Sequence, residues 1–235
     1  MWSDGAVTDA TPSSSTEHMQ PGDDWDLGGN WSDPSAPDQP IVGLDLTDQV
    51  LAGQRWSGRR YVACRFIEAD LRGLHTERCE FTECDFTGAD LGDSVHRATA
   101  LRTCVFVRTT LSGVRLNGCS LLGSHFTDCR LRPFEVRDSD LSLVSLGRID
   151  LRNTDLSGLR LREANLVSAD LRGADLRGAD LSGARLAGAR LENADLRGAT
   201  MEPSTLLSTQ FSGAHLDLTA AIGFARAHGL RVELA

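Results

Sequence analysis

The sequence predicts an all-β solenoid, a square coil built from five-residue sides and closed at its C-terminal end by an α-helix. Three observations predict it. An apolar residue stands at every fifth position from Ile41 to Leu216, and of these 36 centre positions only Thr76 and His96 break the rule. The residue two before each centre (i−2) is small, with eight successive alanines from Ala164 to Ala199. Glycine recurs two after the centre (i+2), as at Gly158, Gly173, Gly178, Gly183, Gly188 and Gly198. A period of five fits neither the ~3.6-residue repeat of a helix nor the ~2-residue repeat of a strand. It fits a coil in which each pentapeptide is one side of a square, so that residues 20 apart in the sequence stack.

The chain divides into three parts. Residues 1–40 are rich in Ser, Gly, Pro and Asp and show no period, which reads as a disordered, solvated extension despite Trp2, Trp25 and Trp31. Residues 41–216 are the solenoid, with irregular first turns where the i−2 residues are Gln49, Gln54 and Arg59. Within it the centre and the i−2 side chain point inward, while i−1, i+1 and i+2 point outward. Stacked coils bond at the usual inter-strand spacing of about 4.8 Å. The interior is a filled column that offers no ligand pocket. Cys129-Arg130-Leu131-Arg132-Pro133 and the large i−2 residue Phe134 depart from the pattern, predicting a bulge or kink there.

Residues 217–235 leave the period. Leu218, Ala221, Ile222 and Ala225 recur at helical spacing, Asp217 or Thr219 can cap the start, and Gly229 can close the end. Leu230, Val232 and Leu234 then alternate as a short strand-like tail. Phe224 lies off the Leu218/Ile222/Ala225 stripe, so the helix is apolar on more than one face. That predicts a helix covering the last coil and also packing on a second subunit, a two-fold homodimer with the rods end to end; the alternative is a monomeric cap.

The cysteines test the coil. Cys64, Cys79, Cys84, Cys104, Cys119 and Cys129 all fall at i−2. They therefore read as small core fillers with free thiols, which implies a reducing, cytoplasmic setting. No Cys-x-x-Cys pair exists, and stacked parallel side chains suit neither zinc nor a disulfide. No cofactor or metal site is expected, and no membrane span or secretory leader is read from the sequence.

Charge narrows the function further. The net charge of −9 arises almost wholly from residues 1–52, where ten acids meet no base; residues 53–235 carry 24 arginines against 23 acids. A nearly neutral rod with an acidic tail argues against direct nucleic-acid binding. The scattered histidines and the absence of any carboxylate pair, Ser/His/Asp set or phosphate loop argue against an enzyme.

The Ala-(Asp/Asn)-Leu-X-X register, written out as Ala169-Asp170-Leu171-Arg172-Gly173, identifies the chain as a member of the pentapeptide repeat family. Leu74-His75-Thr76-Glu77-Arg78, Glu83-Cys84-Asp85-Phe86, Arg108-Thr109-Thr110-Leu111, Cys129-Arg130-Leu131-Arg132-Pro133 and Ala227-His228-Gly229-Leu230 resemble its mycobacterial-type fluoroquinolone-resistance members. The likeness runs from about Gly53 to the C-terminus and includes the exceptions Thr76 and His96. It implies a right-handed quadrilateral β-helix, dimeric through the C-terminal helix; the apolar residues of this chain expected at that interface are Leu218, Ile222, Phe224, Ala225 and Leu230. It also implies a rod that resembles B-form DNA in shape and charge, and that binds DNA gyrase.

A DNA mimic needs ladders of acids along the rod, since duplex DNA carries one charge per ~1.7 Å. At i−1, Glu135, Asp155, Asp175 and Asp195 form one expected column, and Asp70, Asp90, Asp150 and Asp170 a second, interrupted at Thr110 and Arg130. Like charges so close repel, which stability alone does not favour. The competing reading is that i−1 Asp or Asn merely satisfies backbone groups at the corners, in a scaffold for some other protein. The i+1 arginines (Arg132, Arg152, Arg172 and Arg137, Arg177, Arg197) run beside the acids and partly neutralise them.

Overall fold

The computed structural model describes residues 39–233. The disorder expected for residues 1–40 therefore lies outside the described residues, apart from Gln39 and Pro40. From Ile41 onward the chain coils in short parallel pairings, each displaced by 20 residues. They run from Ile41 against Tyr61 to Asp195 against His215. Strands two to four residues long line the first half, and isolated bridges continue the same ladder through the second. Ile41–Val42, Arg60–Val62, Glu80–Thr82 and Ala100–Arg102 form a four-stranded sheet on one side of the square. Arg55–Ser57, His75–Glu77, Val95–Arg97, Val114–Asn117 and Phe134–Arg137 form a five-stranded sheet on another.

Each side of the square is held by the same few bonds. The centre N–H donates onward to the next coil (Leu176 to the Asp195 carbonyl, 2.8 Å), and the i−1 N–H donates back (Asp175 to the Thr154 carbonyl, 3.0 Å). The i+2 N–H also reaches the next coil (Gly178 to the Arg197 carbonyl, 3.0 Å). Aiming it there needs a left-handed backbone. Every i+2 residue from Gly43 to Gly198 has positive φ, Pro133 excepted. Glycine takes this conformation without steric cost. The corners at Leu143 (φ 60°) and Arg148 (φ 62°) instead hold side chains in a region L-residues disfavour.

The core changes character along the rod. Phe66, Phe86, Phe106 and Phe126 stack face to face at 4.9, 5.0 and 4.5 Å in one corner column, beside Tyr61 on Phe81 at 5.0 Å. From Leu141 to Leu196 stacked leucines replace them at the centres, over Val144, Ile149, Thr154 and Leu159 at first and over alanines from Ala164 to Ala194, all buried. Many of the i−2 cysteines, serines and threonines share one role and donate into the coil beneath, while Cys79, Thr99 and Ser139 donate to the carbonyl two residues back. Cys104 Sγ reaches the Phe81 carbonyl (3.4 Å), Thr109 Oγ1 that of Phe86 (2.8 Å), and Ser124 Oγ that of Leu101 (2.7 Å). All six cysteines are free, and all but Cys129 are buried. Burial pushes the thiols of Cys64, Cys79, Cys104, Cys119 and Cys129 above their usual range.

The irregularity expected at Cys129–Phe134 is a local one: no residue is inserted, since Phe134 pairs with Val114 and Arg130 with Thr110 in the common register, but the corner at Pro133 lacks a positive φ and the Gly113 N–H takes the Pro133 carbonyl (2.7 Å). Two expectations need correction. The unbroken phase near Leu206 conceals a 3-10 helix, Pro203–Ser208, after which the ladder resumes at Gln210. Proline's fixed negative φ cannot make the left-handed corner that position 203 would require. Residues 230–233 form no strand; Leu230 N–H folds back to the Ala225 carbonyl (3.0 Å) behind Gly229, whose φ is +79°.

The C-terminal helix is Leu218–Ala227, capped by Asp217, whose carboxylate accepts from the Ala220 N–H (2.8 Å) and the Gly198 N–H (2.8 Å). One side chain thus starts the helix and ties it to the last coil. Phe224, expected with Leu218 and Ile222 at a subunit interface, instead faces the chain's own last coil. Phe224 sits edge-on to Phe211 (4.9 Å), and a Cβ at Gly223 would meet Pro203 at 2.8 Å, so this side covers the rod. Leu218 (72 % exposed) and Leu230 (62 % exposed) are left outside.

Candidate functional site: the acidic columns

The 20-residue register brings the predicted acids together as two outward columns. Asp155 bridges Asp175, which bridges Asp195; on the adjacent side Asp70 bridges Asp90, and Asp150 bridges Asp170. Glu135 lies in the same column as Asp155 but belongs to the strand Phe134–Arg137, where it pairs with Arg115. The second column turns neutral or positive at Thr110 and Arg130, as the sequence indicated, and ends on Arg190 beside Asp170.

Local chemistry explains why aspartate occupies i−1. Its Oδ1 accepts the N–H two residues on, as from Arg72 to Asp70 (3.2 Å), Gly92 to Asp90 (2.8 Å), Arg152 to Asp150 (3.1 Å) and Ser157 to Asp155 (3.0 Å). The same bond forms at Asp170, Asp175 and Asp195. Asn165 does it too, for Val167 (3.3 Å), so the corner needs the oxygen and not the charge. Glu135 is one methylene too long and does not take part.

The arginine at i+1 goes further than partial neutralisation. Asp70, Asp150, Asp170, Asp175 and Asp195 are each gripped by Nε and Nη2 of the arginine two residues on. In Asp170 the distances to Arg172 are 2.8 and 2.6 Å. These planar forks are the strongest form of the pair. The arginine hydrogen bonds hold all five carboxyls below the usual carboxylate range. On the second column the pairs interlock: Arg132 also approaches Asp150 (3.4 Å), Arg152 approaches Asp170 (3.7 Å), and Arg190 approaches Asp170 (3.9 Å). The ladder is therefore an alternation of charges. Asp155 keeps its carboxylate on Ser157 Oγ (2.6 Å) with no arginine fork. Asp90 has only Arg72 at 4.0 Å.

Thr76 and His96 are not surface features. They stack in the core, and with Ser94 and Thr99 make a closed polar chain. Thr99 Oγ1 donates to the Arg97 carbonyl (3.1 Å), so it accepts from Thr76 Oγ1 (2.9 Å). Thr76 then accepts from His96 Nδ1–H (2.7 Å), which leaves Nε2 bare to accept from Ser94 Oγ (2.9 Å). The histidine is a buried neutral imidazole whose pKa is pushed down to about 4, chiefly by desolvation and secondarily by His75. Among the described residues no group of three His, Cys, Asp or Glu side chains is placed to hold a metal, and no helix is long and apolar enough to cross a membrane.

The fold is thus a square rod with a filled core and ordered columns of charged side chains on its outside. Residues 74–156 match the family described as "Pentapeptide repeat region", and residues 139–178 and 179–217 match "Pentapeptide repeats (8 copies)". The two together run from residue 74 to residue 217, more than half of the 235 residues, and the chain belongs to the pentapeptide repeat proteins. The pentapeptide repeat protein MfpA of Mycobacterium tuberculosis is 51% identical over 97 residues, which are 41% of this chain and 53% of that protein. The MfpA of Mycolicibacterium smegmatis is 48% identical over 70 residues, covering 30% of this chain and 34% of the relative. The chain thus matches about half the length of the first of these relatives and a third of the second. Among solved structures, QnrB1, a plasmid-mediated fluoroquinolone resistance protein, superposes with a TM-score of 0.70 at 20% identity. That superposition covers 82% of this chain and 100% of QnrB1. A trypsin-treated form of the same protein gives 0.69 at 21% identity over 82% and 99%. At that identity the likeness is one of fold, the right-handed quadrilateral β-helix with a short C-terminal helix.

Proposed function

We propose that this protein binds DNA gyrase as a stand-in for duplex DNA, acting as a homodimer joined through its C-terminal helices, and so alters the response of gyrase to fluoroquinolones or natural topoisomerase poisons. It acts by binding and not as an enzyme. The observation that carries this reading is the motif-level resemblance from Gly53 onward to mycobacterial-type fluoroquinolone-resistance members of the family, supported by the identity to MfpA. Gyrase itself enters through that resemblance. The outward column Asp155–Asp175–Asp195 is the part of this surface that suits the role, because it stacks carboxylates on successive coils of one side. The exposed Leu218 and Leu230, with Ile222 and Ala225 beside them, are the apolar surface available to a second copy, while Phe224 serves mainly the chain's own cap.

A second reading has a specific observation behind it. Five of the eight column acids are held in forks by their own arginines, and the corner hydrogen bond accounts for aspartate at i−1 without any mimicry. On that reading the rod is a scaffold for another protein partner. A supercoiling assay with purified gyrase, with and without ciprofloxacin, separates the two. The proposal expects supercoiling or drug sensitivity to change with added protein; unchanged gyrase in both arms supports the scaffold.

A further inference from the structure

On the earlier coils, the side of the rod that later carries Asp155, Asp175 and Asp195 has the opposite charge. The five-stranded sheet there bears an open groove of about 640 Å³, running along the rod axis between two columns of outward side chains. Arg55 and Arg115 stand in one wall, Arg97 and Arg137 in the other. None of the four joins an ion pair among the described residues. That sets them apart from the forked arginines of the acidic columns.

We propose that this groove docks an extended acidic peptide segment of a partner protein. Arg55 and Arg137 lie four coils apart, about 19 Å, the reach of roughly six extended residues. Arg97 and Arg137 are two coils apart, about 10 Å, which an extended peptide spans in three residues. Four guanidiniums without an ion pair along one groove repel one another, two wall glutamates offset this only in part, and a complementary anion removes the rest. The floor is strand backbone already used in coil-to-coil bonds, so recognition falls to the walls.

A peptide fits better than a nucleic acid. Glu77 and Glu135 stand among the arginines, one in each wall. A uniform phosphate chain would meet both, whereas a peptide can place a neutral or basic residue opposite each. This surface is distinct from the column proposed for gyrase, so either can fail alone.

The test uses the full chain and a fluorescein-labelled eight-residue peptide of alternating glutamate and threonine, which in extended form projects all its glutamates to one side. Fluorescence anisotropy at low salt should show saturable binding. The double variant Arg97→Glu/Arg137→Glu should weaken it about tenfold or more, while Arg185→Glu, on another side of the rod, should leave it unchanged. These residues are exposed, and an unaltered thermal transition confirms that the variants fold. Absence of binding, equal loss with Arg185→Glu, or tighter binding of labelled oligothymidylate of the same length would overturn the proposal.

Discussion

Acid is the perturbation that reads the buried Thr76–His96 pair most directly. Folded His96 takes up a proton only near pH 4, whereas in the unfolded chain it does so near the ordinary 6.5. Between those values the unfolded state binds more protons, so stability is fully present above about pH 6.5 and falls as the pH drops towards 4. A gap of about 2.5 pH units at ~1.36 kcal/mol each amounts to roughly 3 kcal/mol. The structural cause is that protonating Nε2 both buries a cation and turns Ser94 Oγ from donor to forced acceptor. Urea unfolding followed by circular dichroism, at one protein concentration, should be run at pH 7 and pH 4 on the native chain and on His96→Gln, which keeps hydrogen-bonding capacity without titrating. Other titrating groups are shared and cancel in the difference. The native protein's stability relative to the variant should fall by about 3 kcal/mol between the two pH values. Parallel pH profiles, or a folded-state NMR titration of His96 near 6.5, would refute the reasoning.

The remaining predictions concern the corners, the thiols and the helix. Leu143→Gly should raise stability by about 1 kcal/mol, since Leu143 is half exposed in a left-handed corner, and Gly178→Ala should lower it by a similar amount with no clash to blame; thermal or denaturant unfolding of both variants checks the sign. Thiol titration should count six free cysteines after denaturation, with labelling of the native protein slow everywhere and least slow at Cys129; rapid native labelling of all six would end their role as core fillers. Leu218→Asp should turn a dimer into a monomer by light scattering without changing the thermal transition of the rod, because that side chain does not touch the last coil in the way Phe224 does.

The fold was legible because its repeat is nearly free of noise. A single phase of apolar centres, small i−2 residues and frequent i+2 glycine corresponds to inward-facing columns and left-handed corners, position by position. The cysteines were legible for the same reason. Pro203 was the missed signal: proline at i+2 cannot make the corner, and the 3-10 helix begins there while Leu206 keeps the apolar phase alive as a buried residue. Phe224 was placed at the subunit interface because it lies off the Leu218/Ile222/Ala225 stripe, and spacing alone did not show that Phe211, at the end of the rod, is its partner. The acidic columns were visible from the 20-residue register, yet the forks that neutralise them depend on side-chain geometry at i−1 and i+1 that spacing only hinted at. The groove of Arg55, Arg97, Arg115 and Arg137 was readable by the same register, but it requires folding the arginines as well as the acids.

The measurement that bears most directly on the gyrase account is binding of purified gyrase to the triple variant Asp155→Asn/Asp175→Asn/Asp195→Asn. Asparagine keeps the corner hydrogen bond, as Asn165 demonstrates, so the rod stays folded while the column loses its charge. The account predicts that the native protein binds gyrase with an affinity that falls as salt is added, and that the variant, with an unchanged circular dichroism spectrum, no longer binds or alters supercoiling. A variant that binds and modulates gyrase like the native chain would contradict it and leave these aspartates as corner residues.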